Sequence, residues 1–213
     1  PPDKARAYLK ETHKVLRRAS VPLKTLQTLV GKLRHASIIL PAARGFFTPI
    51  NAAMRGNPLR IGLGKSSDVR AALSDLCSLI KVLGSRPTNV RELVVDMPRY
   101  VGYHDAAAKG AGGVWFSLLH DMTPVIWRLP FPVDIATDVI TIAHPHGKVT
   151  NSDLELAAEV LAIGTLLAIA PVIKWEPLGT LCDNTPTVSW IEKMASKSIS
   201  PTAGHLLRGL SFL

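Results

Sequence analysis

The chain has 213 residues, 47% of them hydrophobic, with two cysteines and a net charge of +9. That size and apolar content allow one large or two small globular domains with a proper core. Cys77 and Cys182, far apart and in no metal-ligand spacing, argue against a disulfide scaffold or a zinc module and make a reducing compartment the default.

Charge is unevenly divided along the chain. Residues 1–99 hold 18 Lys/Arg against 6 Asp/Glu, and residues 100–213 hold 7 against 10. A basic half suits a polyanionic partner or simple solvation, and an acidic half offers carboxylates for cations or catalysis. The longest apolar run, Val160 to Ile173, is broken by Pro171 and is shorter than the ~20 residues of a membrane helix, so no membrane partner is expected. The start, Pro1-Pro2-Asp3-Lys4, has no apolar signal region, and an intracellular location, cytoplasm or nucleus, is expected.

The first 85 residues read as helices. Tyr8, Leu9, Thr12, Val15, Leu16 and Ala19 form one stripe at helical spacing, and Leu23, Leu26, Val30 and Leu33 form a second. A third helix is predicted over 44–55, ending at Gly56. A fourth runs from a Ser67 cap through Val69, Leu73, Leu76 and Ile80 to Gly84. Lys24, Lys32 and Arg34 fall largely off the stripes, facing solvent or a phosphate backbone. "GLGKSS" at 62–67 is not a phosphate loop: that motif needs a glycine at position 59, where leucine stands, and no strand is predicted before it.

Near residue 90 the period changes, with "SRPTN" at 85–89 as the predicted boundary. In "YVGYHDAAAKGAGGVWF", from Tyr100 to Phe116, alternating apolar residues predict two strands joined by a bend over Lys109-Gly110-Ala111-Gly112-Gly113. A further strand is expected at Val125–Leu129 or Val139–Ala143, then a helix over 152–170, a strand over 178–182 and a helix from Pro186 with Thr185 as its cap. Strands followed by helix, strand and helix give an α/β or α+β order.

Three acids stand at strand ends or helix starts. Asp105 either caps a turn beside the bend or serves chemistry. Glu155 completes an S-x-x-E capping box with Ser152 or is free to act as a ligand, two roles that exclude each other. Asp183 makes an Asx-turn or joins the other two. Two bare carboxylates about 4 Å apart repel by roughly 4 kcal/mol at an effective dielectric near 20, so a converging cluster is best held by a bridging divalent cation. Magnesium suits an all-carboxylate set and keeps positions open for water and phosphate oxygens. Two such ions can activate water and stabilise the leaving oxygen of a phosphodiester.

Taken in order, "HDAAAKGAGGVWF", "TNSDLELAA" and "CDNTPTVSW" resemble the first three acidic motifs of the ribonuclease H domain of retroelement reverse transcriptases, with wording close to retrotransposon polyproteins of microbial eukaryotes. Upstream, "LKTLQTLVGKLRHASIILPAARGFF" resembles their helical thumb and connection segment. The resemblance implies a helical thumb/connection-like region over 1–88 and a ribonuclease H-like domain over 89–213, a mixed sheet with flanking helices. It further implies that Asp105, Glu155 and Asp183 are catalytic ligands of Mg2+, with Mn2+ as a substitute, and that the RNA strand of an RNA:DNA hybrid is cut by two-metal-ion hydrolysis. Lys24, Lys32, Arg34 and Asn184 are the expected nucleic-acid contacts, and the polymerase portion of a parent polyprotein is the expected protein partner.

The family also uses a fourth acid near a final helix. No residue of 198–213 is acidic, so the domain is expected to be C-terminally incomplete, with a weakened metal site. The polymerase's Asp-Asp pair is absent too, so no polymerisation is expected. The alternative is a catalytically inactive nucleic-acid-binding or scaffolding module of the same origin. The remaining candidates read more simply: His144 and His146 as exposed loop residues, His205 as a helix-surface histidine, Asp134 and Asp138 as solvated, and Trp115, Trp127, Trp175 and Trp190 as core rather than base-stacking platforms.

Overall fold

Residues 2–37, 41–85, 96–172, 176–196 and 201–211 are described by the computed structural model, which is mixed α/β. The chain divides into two units, Pro1–Asn89 and Val90–Leu213. Beyond Ser85, the predicted 85–89 junction lies outside the described residues.

The first unit contains α1 (Pro2–Leu16), α2 (Leu23–Ser37), a 3-10 turn (Pro41–Phe46) leading into α3 (Phe47–Met54), and α4 (Asp68–Ser85). Leu26, Leu33, Phe46, Ile50 and Leu73 are fully buried in its core, as the helical stripes require. Ser67 caps α4, its Oγ accepting the Arg70 backbone N–H at 3.5 Å. The reading as helices alone is corrected by a two-stranded antiparallel ribbon, β1 (Ser20–Pro22) with β2 (Arg60–Gly62), whose three-residue strands are too short to show a period. Thus a strand does precede "GLGKSS", but Leu59 still stands where a phosphate loop needs glycine.

The second unit is built on a four-stranded sheet of β3 (Tyr100–Ala107), β4 (Gly110–Ser117), β5 (Val125–Pro130) and β6 (Leu178–Leu181), in the order β5-β4-β3-β6. β3, β4 and β5 form an antiparallel meander, and β6 joins β3 in parallel. A parallel pair needs a long crossover, supplied here by the segment from β5 to β6, which includes α5 (Val133–Thr137) and α6 (Asn151–Ile169). α7 (Thr185–Lys193) and α8 (Pro201–Leu210) follow. Val139 makes only an isolated parallel bridge to Val149, so the third strand of the meander is the Val125 segment.

The hairpin bend is tighter than predicted. Only Ala108 and Lys109 lie between β3 and β4, and Gly110, Gly112 and Gly113 belong to β4. These glycines serve close approach rather than turning: a Cβ on Gly113 would stand 2.3 Å from the Tyr103 carbonyl oxygen and 2.9 Å from Trp127 Nε1. Across the ladder, Gly102 opposes Trp115, and a Cβ there would lie 2.8 Å from the indole ring. Trp115 is fully buried and its Nε1 donates to the Ala162 carbonyl at 2.9 Å, fixing the sheet to α6.

Gly102→Ala is therefore expected to destabilise this unit by ~1–3 kcal/mol through overpacking. Gly164→Ala, in the interior of α6 with nothing within 4 Å of its Cβ, is expected to stabilise it by up to ~1 kcal/mol. Urea unfolding followed by tryptophan fluorescence measures both, because all four tryptophans lie after residue 90.

α6 is largely apolar, and from 152 to 166 none of its residues is exposed, whereas 167–169 are. Ala158, Ala162 and Leu166 pack with Tyr100, Trp115 and Trp127 of the sheet. Leu156 packs with Ala203 and Leu207 of α8 and with Met194 at the end of α7. Leu154 packs with Val139 and Val149. Two acids, Glu155 and Glu159, are one helical turn apart in this enclosed helix, and both are buried.

Candidate functional site

The parallel pair leads towards two of the three acids. Tyr100 is level with Leu178 and Tyr103 with Leu181. The pairing ends there, and Asp105 and Asp183 each follow two residues further along the chain, at the same end of the sheet. Ligand sites in open α/β sheets form at the carboxyl ends of strands where the connections to the two neighbours diverge. β3 meets that condition, with a hairpin to β4 on one side and the long crossover to β6 on the other.

The third acid reaches the same place from α6. The capping box of that helix is Thr150-x-x-Asp153, which corrects the Ser152–Glu155 frame: Thr150 Oγ1 accepts the Asp153 N–H at 3.1 Å and Asp153 Oδ2 accepts the Thr150 N–H at 2.8 Å. The choice of frame is non-local. Val149 bridges to Val139, and its carbonyl accepts the Ile140 N–H at 2.8 Å, which holds the chain extended up to the residue before Thr150. Glu155 is released from capping and lies in the second turn.

Its environment is unfavourable for a lone carboxylate. Glu155 is 3% exposed, and Oε2 has no hydrogen-bond donor. Burial, then the neighbouring Asp105 carboxylate, and more weakly the charge of Asp183 raise its pKa to about 7, opposed by the Ala106 backbone N–H. Asp105 and Asp183 are both exposed. The structure thus sets two surface acids, Asp105 and Asp183, each beside the buried Glu155, while the group whose ligand atoms all lie within 4.8 Å of one another is Glu155, Cys182 and Asp183.

Asp183 is held by the start of α7. Asn184, rather than Thr185, is the cap: its Oδ1 accepts the Thr187 N–H at 3.0 Å. The buried Thr187 hydroxyl donates to the Ser152 carbonyl at 3.0 Å, tying the first turns of α7 and α6 together. Of the other expected nucleic-acid contacts, Lys24 is exposed near the start of α2. Lys32 pairs with Glu11 at 2.7 Å, and Arg34 donates to Asn51 Oδ1 at 2.6 Å and lies over the Phe47 ring.

Three further residues near the acids escaped the sequence reading. Cys182, half-buried, has its Sγ within 4.8 Å of ligand oxygens of Glu155 and Asp183. Glu159 is 2% exposed, and its Oε2 lies 3.1 Å from His104 Nε2, although neither atom has an aligned hydrogen bond. Burial raises Glu159 to about 7 against a hydrogen bond from Thr180 on β6, and burial lowers His104 against the charge of Asp105. The two acids of "LELAAEVLA", four residues apart in an otherwise apolar helix, were the available signal for Glu159.

The simpler readings of the other candidates fit the structure where they can be seen. His144, His146, His205 and Asp134 are exposed, and Asp138 is partly so. Trp115 and Trp127 are buried and Trp190 half-buried, while Trp175 lies outside the described residues. No helix among the described residues is long and apolar enough to cross a membrane.

Chemically, Glu155 has one buried, donor-free oxygen with the Asp105 and Asp183 carboxylates beside it, and such oxygens are the kind of ligand that could hold a divalent cation such as magnesium. Comparison of the sequence with models of known families and with curated proteins finds no match.

Proposed function

We propose that residues 90–213 form a ribonuclease H-like domain that hydrolyses the RNA strand of an RNA:DNA hybrid, in a chain related to retroelement reverse transcriptases. The observation that carries this reading is the approach of Asp105 and of Asp183 to the buried Glu155, whose pKa is raised to about 7 by burial first, then by Asp105 and more weakly by Asp183. The mixed sheet with α6 packed on it and the order of the three acidic motifs along the chain support it as well.

In this reading the three carboxylates hold Mg2+, or Mn2+ in its place. The bound ions supply an activated water and charge stabilisation for the leaving 3′ oxygen. The chain's own residues do the positioning. β3 fixes the Asp105 backbone, the Thr187–Ser152 bond fixes Asp183 relative to α6, and the packing of α6 keeps the Glu155 oxygens away from bulk water. Residues 1–89 carry the positive charge that a phosphate backbone attracts.

The test is digestion of a hybrid labelled separately on each strand, with Mg2+, Mn2+ or chelator. Metal-dependent cutting of the RNA strand alone is expected. Cutting of both strands, or cutting that persists in chelator, contradicts the proposal. Tight hybrid binding without cutting favours the alternative, a binding or scaffolding module of the same origin. Its affinity should then fall ~10³–10⁵-fold between 50 and 200 mM salt for 6–10 phosphate contacts.

A further inference from the structure

The acidic site contains a ligand that a magnesium site does not need. Cys182 and Asp183 are sequence neighbours, and within a strand their side chains would point to opposite faces. β6 ends at Leu181 and the chain bends at Asp183, so the alternation is broken and both residues turn to the same cluster with Glu155. The three ligand atoms lie within 4.8 Å of one another. Around a tetrahedral ion with bonds of about 2.0–2.3 Å, ligands stand roughly 3.3–3.8 Å apart, so side-chain closure of about 1 Å completes the geometry.

A second observation points to a ligand here. Glu155 is more than nine-tenths buried, and its Oε2 has no donor.

We propose that Cys182, Glu155 and Asp183 form a site for a thiophilic divalent cation of the zinc class, overlapping the hard-ion site. Sulfur favours zinc or cadmium over magnesium, so the thiol adds a selectivity that three carboxylates lack. On binding, a metal–sulfur bond replaces the S–H bond and the proton passes to solvent, with no change of oxidation state. Because Glu155 and Asp183 belong to both sets, zinc excludes magnesium from them. Inhibition of hydrolysis by zinc rests on the nuclease reading, whereas cation binding does not.

Cadmium titration of the full chain gives a direct readout through its thiolate-to-metal absorption in the ultraviolet. Cys77 is the one other cysteine and is buried, so a Cys77→Ala chain reports Cys182 alone. One equivalent of Cd2+ is expected to saturate the band. Cys182→Ser should abolish it, and Glu155→Gln and Asp183→Asn should each weaken binding by at least about 10-fold. A second measurement needs no substitution: Zn2+ should slow alkylation of Cys182 in the unaltered chain by at least about 10-fold, and equimolar Mg2+ should not.

A band of unchanged affinity in both acid variants overturns the proposal, as does an alkylation rate indifferent to zinc. Loss of hybrid cleavage alone does not bear on it. Cadmium binding without cleavage supports the site and contradicts only the nuclease reading.

Discussion

Asp105→Asn and Asp183→Asn are each expected to lower Mg2+-dependent cleavage of a hybrid by at least about 10²-fold. Loss of an outer-shell partner alone typically costs 10–100-fold in metal affinity or activity, and these substitutions remove a direct carboxylate ligand. Both residues are exposed, and asparagine is nearly the same size, so the fold should be retained. Hybrid affinity should stay within a few-fold, because positive charge rather than the acids attracts the phosphates. Single-turnover cleavage together with filter binding separates the two effects. Parental cleavage rates in either variant would contradict the assignment of that residue.

The second large effect is on stability and has the opposite sign from an ordinary core substitution. Glu155→Gln should stabilise the metal-free second unit at alkaline pH by about 1–3 kcal/mol. The folded-state pKa of Glu155, about 7, lies above its ordinary value of 4.5. Below pH 4.5 both folded and unfolded states hold the proton, and the fold bears no charge penalty. As pH rises from 4.5 through 7 the unfolded chain releases its proton first, and stability is lost. Above pH 7 the penalty is complete, on the order of 3 kcal/mol from the size of the shift.

Glu159 adds a loss in the same window, and His104 opposes both below its ordinary pKa of 6.5. Those contributions are common to parent and variant, so the difference between the two isolates Glu155. Urea unfolding by tryptophan fluorescence at pH 4.5 and pH 8 should show the gain only at the higher pH. Mg2+ should stabilise the parent at pH 8 and have little effect on Glu155→Gln. A variant less stable than the parent at pH 8 in chelator would mean that Glu155 is a satisfied structural residue.

These expectations grow from features that differ in how far the sequence shows them. The alternation in "YVGYHDAA" is enough to place β3, since a half-buried strand must repeat every two residues. The apolar stripes of α2 and α4 likewise lead to their buried faces. The glycines of "KGAGG" mislead, because glycine marks both turns and close approach. Only the positions of the Tyr103 carbonyl and the Trp127 indole show that Gly113 serves the latter.

The start of α6 offers two overlapping capping frames, Thr150-x-x-Asp153 and Ser152-x-x-Glu155, of which the second matches the usual Ser/Thr-x-x-Glu pattern more closely. The contacts of Val149 with Val139 and Ile140 decide between them, across a loop that local pattern cannot close. That decision matters beyond the cap, since it leaves Glu155 free to face Asp105 and Asp183. Glu159 and His104 were illegible for a related reason: each is ordinary in its own element and becomes unusual only when α6 covers the sheet. Cys182 carries no local signal, because its spacing from Cys77 means nothing and its relevant neighbour, Glu155, comes from another element.

In the proposed function Asp105, Glu155 and Asp183 act together as one divalent-cation site. Titration of Mn2+ into the metal-free chain, read by the loss of the free-ion paramagnetic resonance signal, tests it without requiring substrate or turnover. Saturable binding is expected that weakens by at least about 10-fold in Asp105→Asn, Glu155→Gln and Asp183→Asn alike, and is unchanged by Asp134→Asn at an exposed position away from these acids. Binding that survives all three substitutions, or that falls equally in Asp134→Asn, would contradict it.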